Sequence, residues 1–242
     1  MRNTLWVFLA PFLLLFTGAP YVETRRPDLE LDHIFVAVPG SEVGSPALEE
    51  AGFLFSPPNP HPGQGTMSRG ILFENAYLEL IWLTDAEEAE SPPIQRTRLR
   101  ERTDPSTGAC PFGIGLRSSG EGDARLPFES WEYRPPYLPN GMSFQMGANS
   151  ENLGEPLVFF LPWLSSPAWP IPEHPNGAKR ITRVEIMVEG EPQDSETISA
   201  LSAAGIVSFR SHGEYFMELE LDGGRSGQSL DLRPEVPVRV SW

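Results

Sequence analysis

Two residues carry most of the chemistry this chain could do, and both stand in apolar company. Glu79 lies in Tyr77-Leu78-Glu79-Leu80-Ile81-Trp82-Leu83, and His33 in Leu31-Asp32-His33-Ile34-Phe35-Val36-Ala37-Val38. Both runs read as strands by composition. Alternate strand residues share a face, so His33 shares its row with Leu31, Phe35 and Ala37, and Glu79 its row with Tyr77, Ile81 and Leu83. If these rows face an interior, each polar group needs a hydrogen bond, an opposite charge or a metal. A neutral imidazole and a carboxylate from neighbouring strands are half of a typical divalent-cation site. If the opposite rows form the core instead, Glu79 points to water and His33 sits half-exposed at an edge. The patterning leaves both readings open.

A second candidate is the loop His61-Pro62-Gly63-Gln64-Gly65-Thr66, followed by Arg69. Its Pro and Gly make a rigid turn. Its other reading places the N–H groups of Gly63, Gly65 and Thr66, with Arg69, at a cavity mouth as anion donors. His61, Gly65, Thr66 and Arg69 are therefore the candidate substrate-binding residues. The Gly spacing follows a loop and leads into a strand, so it is not a dinucleotide fingerprint. By position alone His61, His174 and His212 all fall in turns and read as surface residues rather than ligands. The single cysteine, Cys110, excludes an intramolecular disulfide and has no basic neighbour in sequence, which reads as a small core residue rather than a nucleophile. No HExxH, GxSxG or P-loop sequence is present, which argues against zincin, α/β-hydrolase and NTPase chemistry.

The elements that must position these residues follow from punctuation and periodicity. With 242 residues, 26 of them Pro and 22 Gly, the chain favours turns and short strands over long helices. Strands are predicted over 31–38, 69–74, 77–83, 111–118, 142–147, 155–161, 181–188, 214–221 and 228–232. Short helices are predicted over 46–52, around 94–102, and over 194–204, capped by Asp194 or Ser195 and ended by Gly205. Residues 84–109, first acidic and then basic, read as a connector. The order strand, ALEEAG helix, YLEL strand recurs as TRVEIMVE, ALSAAG, FMELEL at a near-constant offset, which predicts a duplicated βαββ-type unit.

Net charge is −15, a surface that repels phosphate backbones and anionic lipids, so no nucleic-acid partner is expected. Residues 1–19 run from Arg2 through an apolar stretch to Thr17-Gly18-Ala19, the order of a secretory signal, with 20–28 as linker. Pro20 is a poor residue to follow a cut, so an uncleaved N-terminal anchor stays open, as does a true start nearer Leu29. The body is expected to be secreted or periplasmic, or anchored by that segment, its only expected contact with a membrane. A homodimer stays open.

Asp32-His33-Ile34, the HPGQGT loop and Tyr77-Leu78-Glu79-Leu80, with the 111–117 strand and His174-Pro175-Asn176-Gly177-Ala178, resemble the glyoxalase-like domain family of the vicinal oxygen chelate (VOC) superfamily. The family carries Asn where this chain has Ser68. The resemblance implies an α+β fold of repeated βαββ(β) modules whose curved sheets surround a cleft, with residues 29–180 as the glyoxalase-like domain and 181–242 as a C-terminal module packed on it. In the superfamily's metal enzymes a His on a module's first strand and a Glu on its last bind a divalent ion, and a second module adds two ligands. His33 and Glu79 match the first pair. The strands PFGIGLRS and LVFFLPW offer no second pair, so the repeat points to Glu185 and Glu218 (or Glu220) instead. The implied metal set is His33, Glu79, Glu185 and Glu218, with Glu79 or Glu218 as catalytic base. The implied ligand is a small oxygen-rich molecule, and the implied chemistry a metal-dependent lyase or isomerase reaction. Two alternatives stand beside it: a metal-free small-molecule-binding protein of the same fold, and an extracytoplasmic interaction module using the aromatic loop 128–139.

Overall fold

The β-rich punctuation of the sequence becomes thirteen short strands and four short helices among the described residues of the computed structural model, which are 29–120, 126–167, 169–190 and 195–242. The N-terminal segment 1–19, its linker 20–28, and Asp194 lie outside the described residues. The first half of the chain gives β1 (Leu29–Ala37), α1 (Ser45–Glu50), β2 (Asn59–His61), β3 (Thr66–Leu72), β4 (Tyr77–Leu83), α2 (Ala86–Ala89) and α3 (Leu99–Thr103). The second gives β5 (Phe112–Ser118), β6 (Ser130–Tyr133), β7 (Phe144–Gly147), β8 (Leu157–Leu161), β9 (Ile181–Glu189), α4 (Glu196–Ala204), β10 (Ser208–His212), β11 (Phe216–Leu221), β12 (Ser229–Asp231) and β13 (Val238–Ser241). Local chemistry sets the ends. Ser195 Oγ accepts from Ile198 N to start α4, and Gly205 ends it in the left-handed region.

Two sheets result. Eight strands run β2-β3-β4-β1-β5-β8-β7-β6, and five run β10-β9-β11-β13-β12. The larger sheet is internally symmetric. β1 and β4 pair in parallel, as do β5 and β8, while β1 and β5 pair antiparallel at the centre. The pairs flanking that centre match: Phe35 stands opposite Glu79 on one side, and Gly115 opposite Phe159 on the other. About the local twofold that exchanges Ile34 with Ile114, His33 corresponds to Gly113 and Glu79 to Phe159.

This corrects the predicted repeat. In the smaller sheet β9 pairs in parallel with β10 and antiparallel with β11, so β9 and β11 do not stand to each other as β1 and β4 do. The matching patterns at 31–83 and 181–221 reflect similar burial, not the same pairing. The partner unit of the first half is β5 to β8.

One apolar core joins both sheets. Ile34, Val36, Leu78, Leu80, Ile114 and Leu116 meet Val184, Ile186, Met217, Leu219, Val238 and Val240, with Leu48 of α1 and Leu201 of α4. A second, smaller cluster lies on the other face of the eight-stranded sheet, around Phe35, Ile81, Phe144, Met146 and Phe159. Both faces of the central strands are therefore interior. Cys110 is buried in the main core, and burial pushes its thiol up to about 12, which removes it as a nucleophile at neutral pH.

The connector is fastened by one cation. Arg102 of α3 is buried, and its guanidinium donates to the carbonyls of Cys110, Glu155, Ser150 and Asn152 at 2.7–3.2 Å. No other side chain presents that many donors in one plane. Replacing Arg102 by Met leaves four inward carbonyls without this partner, and equilibrium urea unfolding should report a loss of roughly 3 kcal/mol or more.

Candidate functional site

The site begins with an irregularity in β1. Leu31 pairs with Leu116 and His33 with Gly115, so Asp32 is an extra, unpaired residue. Such a bulge bends the strand and re-aims its side chains. Asp32 Oδ2 thereby reaches Nδ1 of the next residue, His33, at 2.7 Å. Arg117 supports the bulge: Nη1 donates to Leu31 O at 2.7 Å and lies 3.5 Å from Asp32 Oδ1, and Nη2 donates to Glu30 Oε2 and to Asn75 O.

The imidazole of His33 is packed on three sides. Tyr77 stacks on it at 4.4 Å between centroids, Phe159 meets it edge-on at 5.1 Å, and Gly115 leaves room beneath it. A Cβ on Gly115 would fall 2.5 Å from His33 Cε1, and one on Gly113 only 2.0 Å from the Phe35 ring. Nε2 of His33 faces Glu79 Oε2 at 3.7 Å. That is an ion-pair distance and too long for a direct hydrogen bond. The expected partnership of His33 and Glu79 is therefore present, and both groups are buried. Burial alone would lower the His33 pKa, but the Asp32 hydrogen bond and the charges of Glu79 and Asp32 outweigh it and hold the pKa above the ordinary value.

The other candidates are distributed differently. His61 is buried and lines the same cavity, which corrects its reading as a surface residue. Asn59 Nδ2 lies 3.0 Å from its Nε2 and Thr66 Oγ1 2.9 Å from its Nδ1. Tyr137 packs on the ring at 4.9 Å. Burial, opposed by Glu79 and reinforced by His33, lowers the His61 pKa. Gln64, which sequence reasoning passed over, joins this network: its Nε2 donates to Thr66 Oγ1 and its Oε1 accepts from Tyr133 Oη. Thr66 thus orients its neighbours without lining the cavity, and Gly65 does not line it either.

The loop amides do bind an anion, but the chain supplies it. Gly63 N and Gly65 N donate to Glu88 Oε2 at 2.8 and 3.0 Å. Arg69 turns away from the cavity, pairs with Glu49 at 3.0 Å and lies over Phe55. His174 is also buried, bridging Leu54 N and Leu72 O, and only His212 is exposed.

Glu185 and Glu218 stand opposite each other on β9 and β11, with Val184, Ile186, Met217 and Leu219 turned the other way into the core. Arg183 and Arg210 pair with Glu185, and Arg183 and Arg239 with Glu218, while Glu220 is held by Arg183. The four-residue metal set is not assembled. Among the described residues no group of three or more His, Cys, Asp or Glu is arranged to hold a metal ion. The positions related to His33 and Glu79 by the sheet's symmetry are Gly113 and Phe159, which offer no donor. A divalent ion held by His33 and Glu79 alone would lack half of the ligands such sites use. The residues present do not fit it.

What remains is a cavity of about 160 Å³. The first half of the sheet supplies its polar groups, among them His33, Glu79, His61 and Gln64; the second half supplies Phe144, Met146, Leu157 and Phe159. Tyr133 and Tyr137 also line it, so part of the aromatic loop 128–139 faces inward rather than forming an outer contact surface. Burial pushes the hydroxyl pKa of Tyr77, Tyr133 and Tyr137 upward, so all three stay protonated at neutral pH.

The glyoxalase-like domain family model matches residues 31–202. No curated protein matches the sequence. Among solved structures, a hypothetical protein from Staphylococcus aureus aligns with TM-score 0.53 at 11% identity, over 88% of this chain and 99% of that one, a likeness of fold. A methylmalonyl-CoA epimerase in complex with methylmalonyl-CoA and NH4+ aligns with TM-score 0.37 at 12% identity, over 57% of this chain and 97% of its own. A mutant 4-hydroxymandelate synthase from Streptomyces coelicolor aligns with TM-score 0.42 at 15% identity, over 81% of this chain and 64% of its own.

The two cavity histidines should titrate on opposite sides of the ordinary imidazole value of about 6.5. In NMR pH titrations, His33 should protonate above it and His61 below. Asp32→Asn should bring the His33 value down, and Glu79→Gln should lower both. The linkage signs differ. The stability contributed by His33 is present below the unfolded pKa and lost as pH rises through its folded one. The neutral His61 favours the fold above the unfolded pKa and loses that stability as pH falls through its own. A His33 that titrates at or below the ordinary value would show that Asp32 does not hold it as described.

Proposed function

Since this chain belongs to the glyoxalase-like domain family of the VOC superfamily, we propose that it binds a small molecule in the cleft beside His33 and Glu79 without a divalent metal ion. The observation that carries the reading is the buried pair itself. Asp32 occupies one nitrogen of His33, Glu79 faces the other at 3.7 Å, and the symmetry-related positions hold Gly113 and Phe159. A proton on the imidazole balances the carboxylate charge that a metal ion would otherwise balance. The metal-dependent lyase or isomerase reading would need two further donors on β5 and β8. Its supposed substitutes, Glu185 and Glu218, are already paired with arginines.

A second reading is favoured by His33 Nε2 and the Glu79 carboxylate facing one cavity 3.7 Å apart. A positioned acid and base of this kind can move protons on a bound molecule. In that case the bound molecule loses a proton to Glu79 and gains one from His33 Nε2 at a neighbouring atom, an isomerisation. We also propose an exported location from the composition of residues 1–19, testable by fractionation of the tagged full-length chain.

The purified protein should carry no stoichiometric Mg, Mn, Fe, Ni or Zn by elemental analysis. Its melting temperature should not rise on dialysis against these ions. Ligand-observed NMR with single-ring fragments should give binders that Leu157→Phe, which narrows the cavity, displaces. Stoichiometric metal in the wild type, lost in His33→Ala and in Glu79→Ala, would overturn the metal-free reading.

A further inference from the structure

The cleft has very few hydrogen-bonding groups left to spend. Asn59, His61, Thr66, Gln64 and Tyr133 form one chain of mutual hydrogen bonds. His33 Nδ1 is committed to Asp32. Among the described residues, His33 Nε2, the Glu79 carboxylate and the hydroxyls of Tyr77 and Tyr137 remain without a hydrogen bond. With Nδ1–H donating to Asp32 in the imidazolium, Nε2–H is a donor, and the carboxylate beside it is an acceptor only. The two atoms are 3.7 Å apart. One oxygen can stand about 2.8 Å from both, within normal hydrogen-bond lengths.

That oxygen must accept from Nε2–H and donate to Glu79, which narrows the chemistry. An ammonium donates but cannot accept. A ketone or ether accepts but cannot donate. A carboxylate cannot donate and would face the Glu79 charge at close range in a site of low dielectric. A hydroxyl does both. The remaining space sets the rest of the ligand. About 160 Å³ is close to the volume of cavities that hold one benzene ring, about 150 Å³. The lining beside the polar pair is aromatic and apolar: Phe159, edge-on to His33, meets Phe144 edge to face at 5.7 Å, with Met146 and Leu157. Aromatic walls of this kind favour an aromatic guest in offset or edge contact.

Resting on the metal-free binding reading, we infer that the cleft selects a neutral single-ring phenol, its hydroxyl bridging His33 Nε2 and Glu79 and its ring lying against Phe144 and Phe159. This is narrower than the oxygen-rich ligand implied by the family resemblance, because the place between His33 Nε2 and Glu79 takes a single hydroxyl.

The experiment titrates phenol, toluene, anisole and benzoate separately into the isotope-labelled protein, following shifts of the cavity methyl and imidazole signals. Phenol should bind roughly tenfold or more tightly than toluene or anisole, the scale of a hydrogen bond to a charged partner. Benzoate should bind more weakly than phenol. Glu79→Leu should remove the preference for phenol over toluene, and Glu79→Gln, which keeps the shape and a weaker acceptor, should retain part of it. Toluene or anisole binding the wild type as tightly as phenol would overturn the phenol inference and leave the binding cleft standing. No binding of any of the four, with the fold intact by melting temperature, would overturn both.

Discussion

A carboxylate removed from water must be compensated, and in this protein that constraint organises the centre of the larger sheet. Glu79 is buried on a strand whose neighbours are apolar on both faces. Breaking a buried ion pair by deleting one partner costs about 3–5 kcal/mol in general, because the other charge is left stranded. His33 supplies the compensation, but only because its ring is fixed. Asp32 holds Nδ1, Tyr77 and Phe159 flank the plane, and Gly115 gives it a floor without a Cβ. Arg117 in turn anchors the bulge that lets Asp32 reach the ring. Each support is an ordinary interaction. Together they hold the pKa of a buried imidazole above its ordinary value, where burial by itself would lower it.

The symmetry of the eight-stranded sheet explains why this cleft is chemically lopsided. Two equivalent halves would place donors on β1 and β4 and again on β5 and β8. Here the second half carries Gly113 and Phe159 at those positions. The arrangement has two consequences. Those positions offer no donor, and the Phe159 ring packs on His33 and Phe35. Gly113 and Gly115 fit the same arrangement, since side chains there would collide with the rings of Phe35 and His33. The cavity has a polar wall and an apolar wall rather than oxygen and nitrogen on both sides. That division favours an amphipathic guest over a chelated one.

Much of this was legible in the sequence, and the failures have physical causes. The strands bearing His33 and Glu79 were evident; the partnership of those two residues was implied by the family resemblance, while the patterning left a solvent-facing Glu79 equally open. The question of which face of each strand is the core was wrongly framed: one row enters the main core and the other lines the cleft. Asp32 could not be assigned, because strict alternation puts it on the face opposite His33, and the bulge that overrides alternation depends on pairing with a strand about eighty residues away. His61 looked like a turn residue because β2 is three residues long and follows a proline-rich loop. Of the two readings of the HPGQGT loop, anion donors at a cavity mouth gave neither the place nor the occupant: Gly63 and Gly65 hold Glu88 of the chain itself, and a four-residue helix leaves little periodic signal.

Glu185 and Glu218 mark the limit of arguing ligands from internal repetition. Their strands share composition with β1 and β4, because any half-buried strand alternates apolar and polar residues. Pairing, not composition, decides what such residues face. Two like charges directly opposite on neighbouring strands repel, and Arg183, Arg210 and Arg239 answer that repulsion within the five-stranded sheet. The charges are therefore spent on each other. The inward rows of β9, β11 and β13 do different work: they close the main core against the face of the larger sheet that is turned from the cleft. Covered there by apolar packing, the sheet can give its other face to a cavity with a buried charge pair, and the C-terminal unit shapes the site without contributing an atom to it.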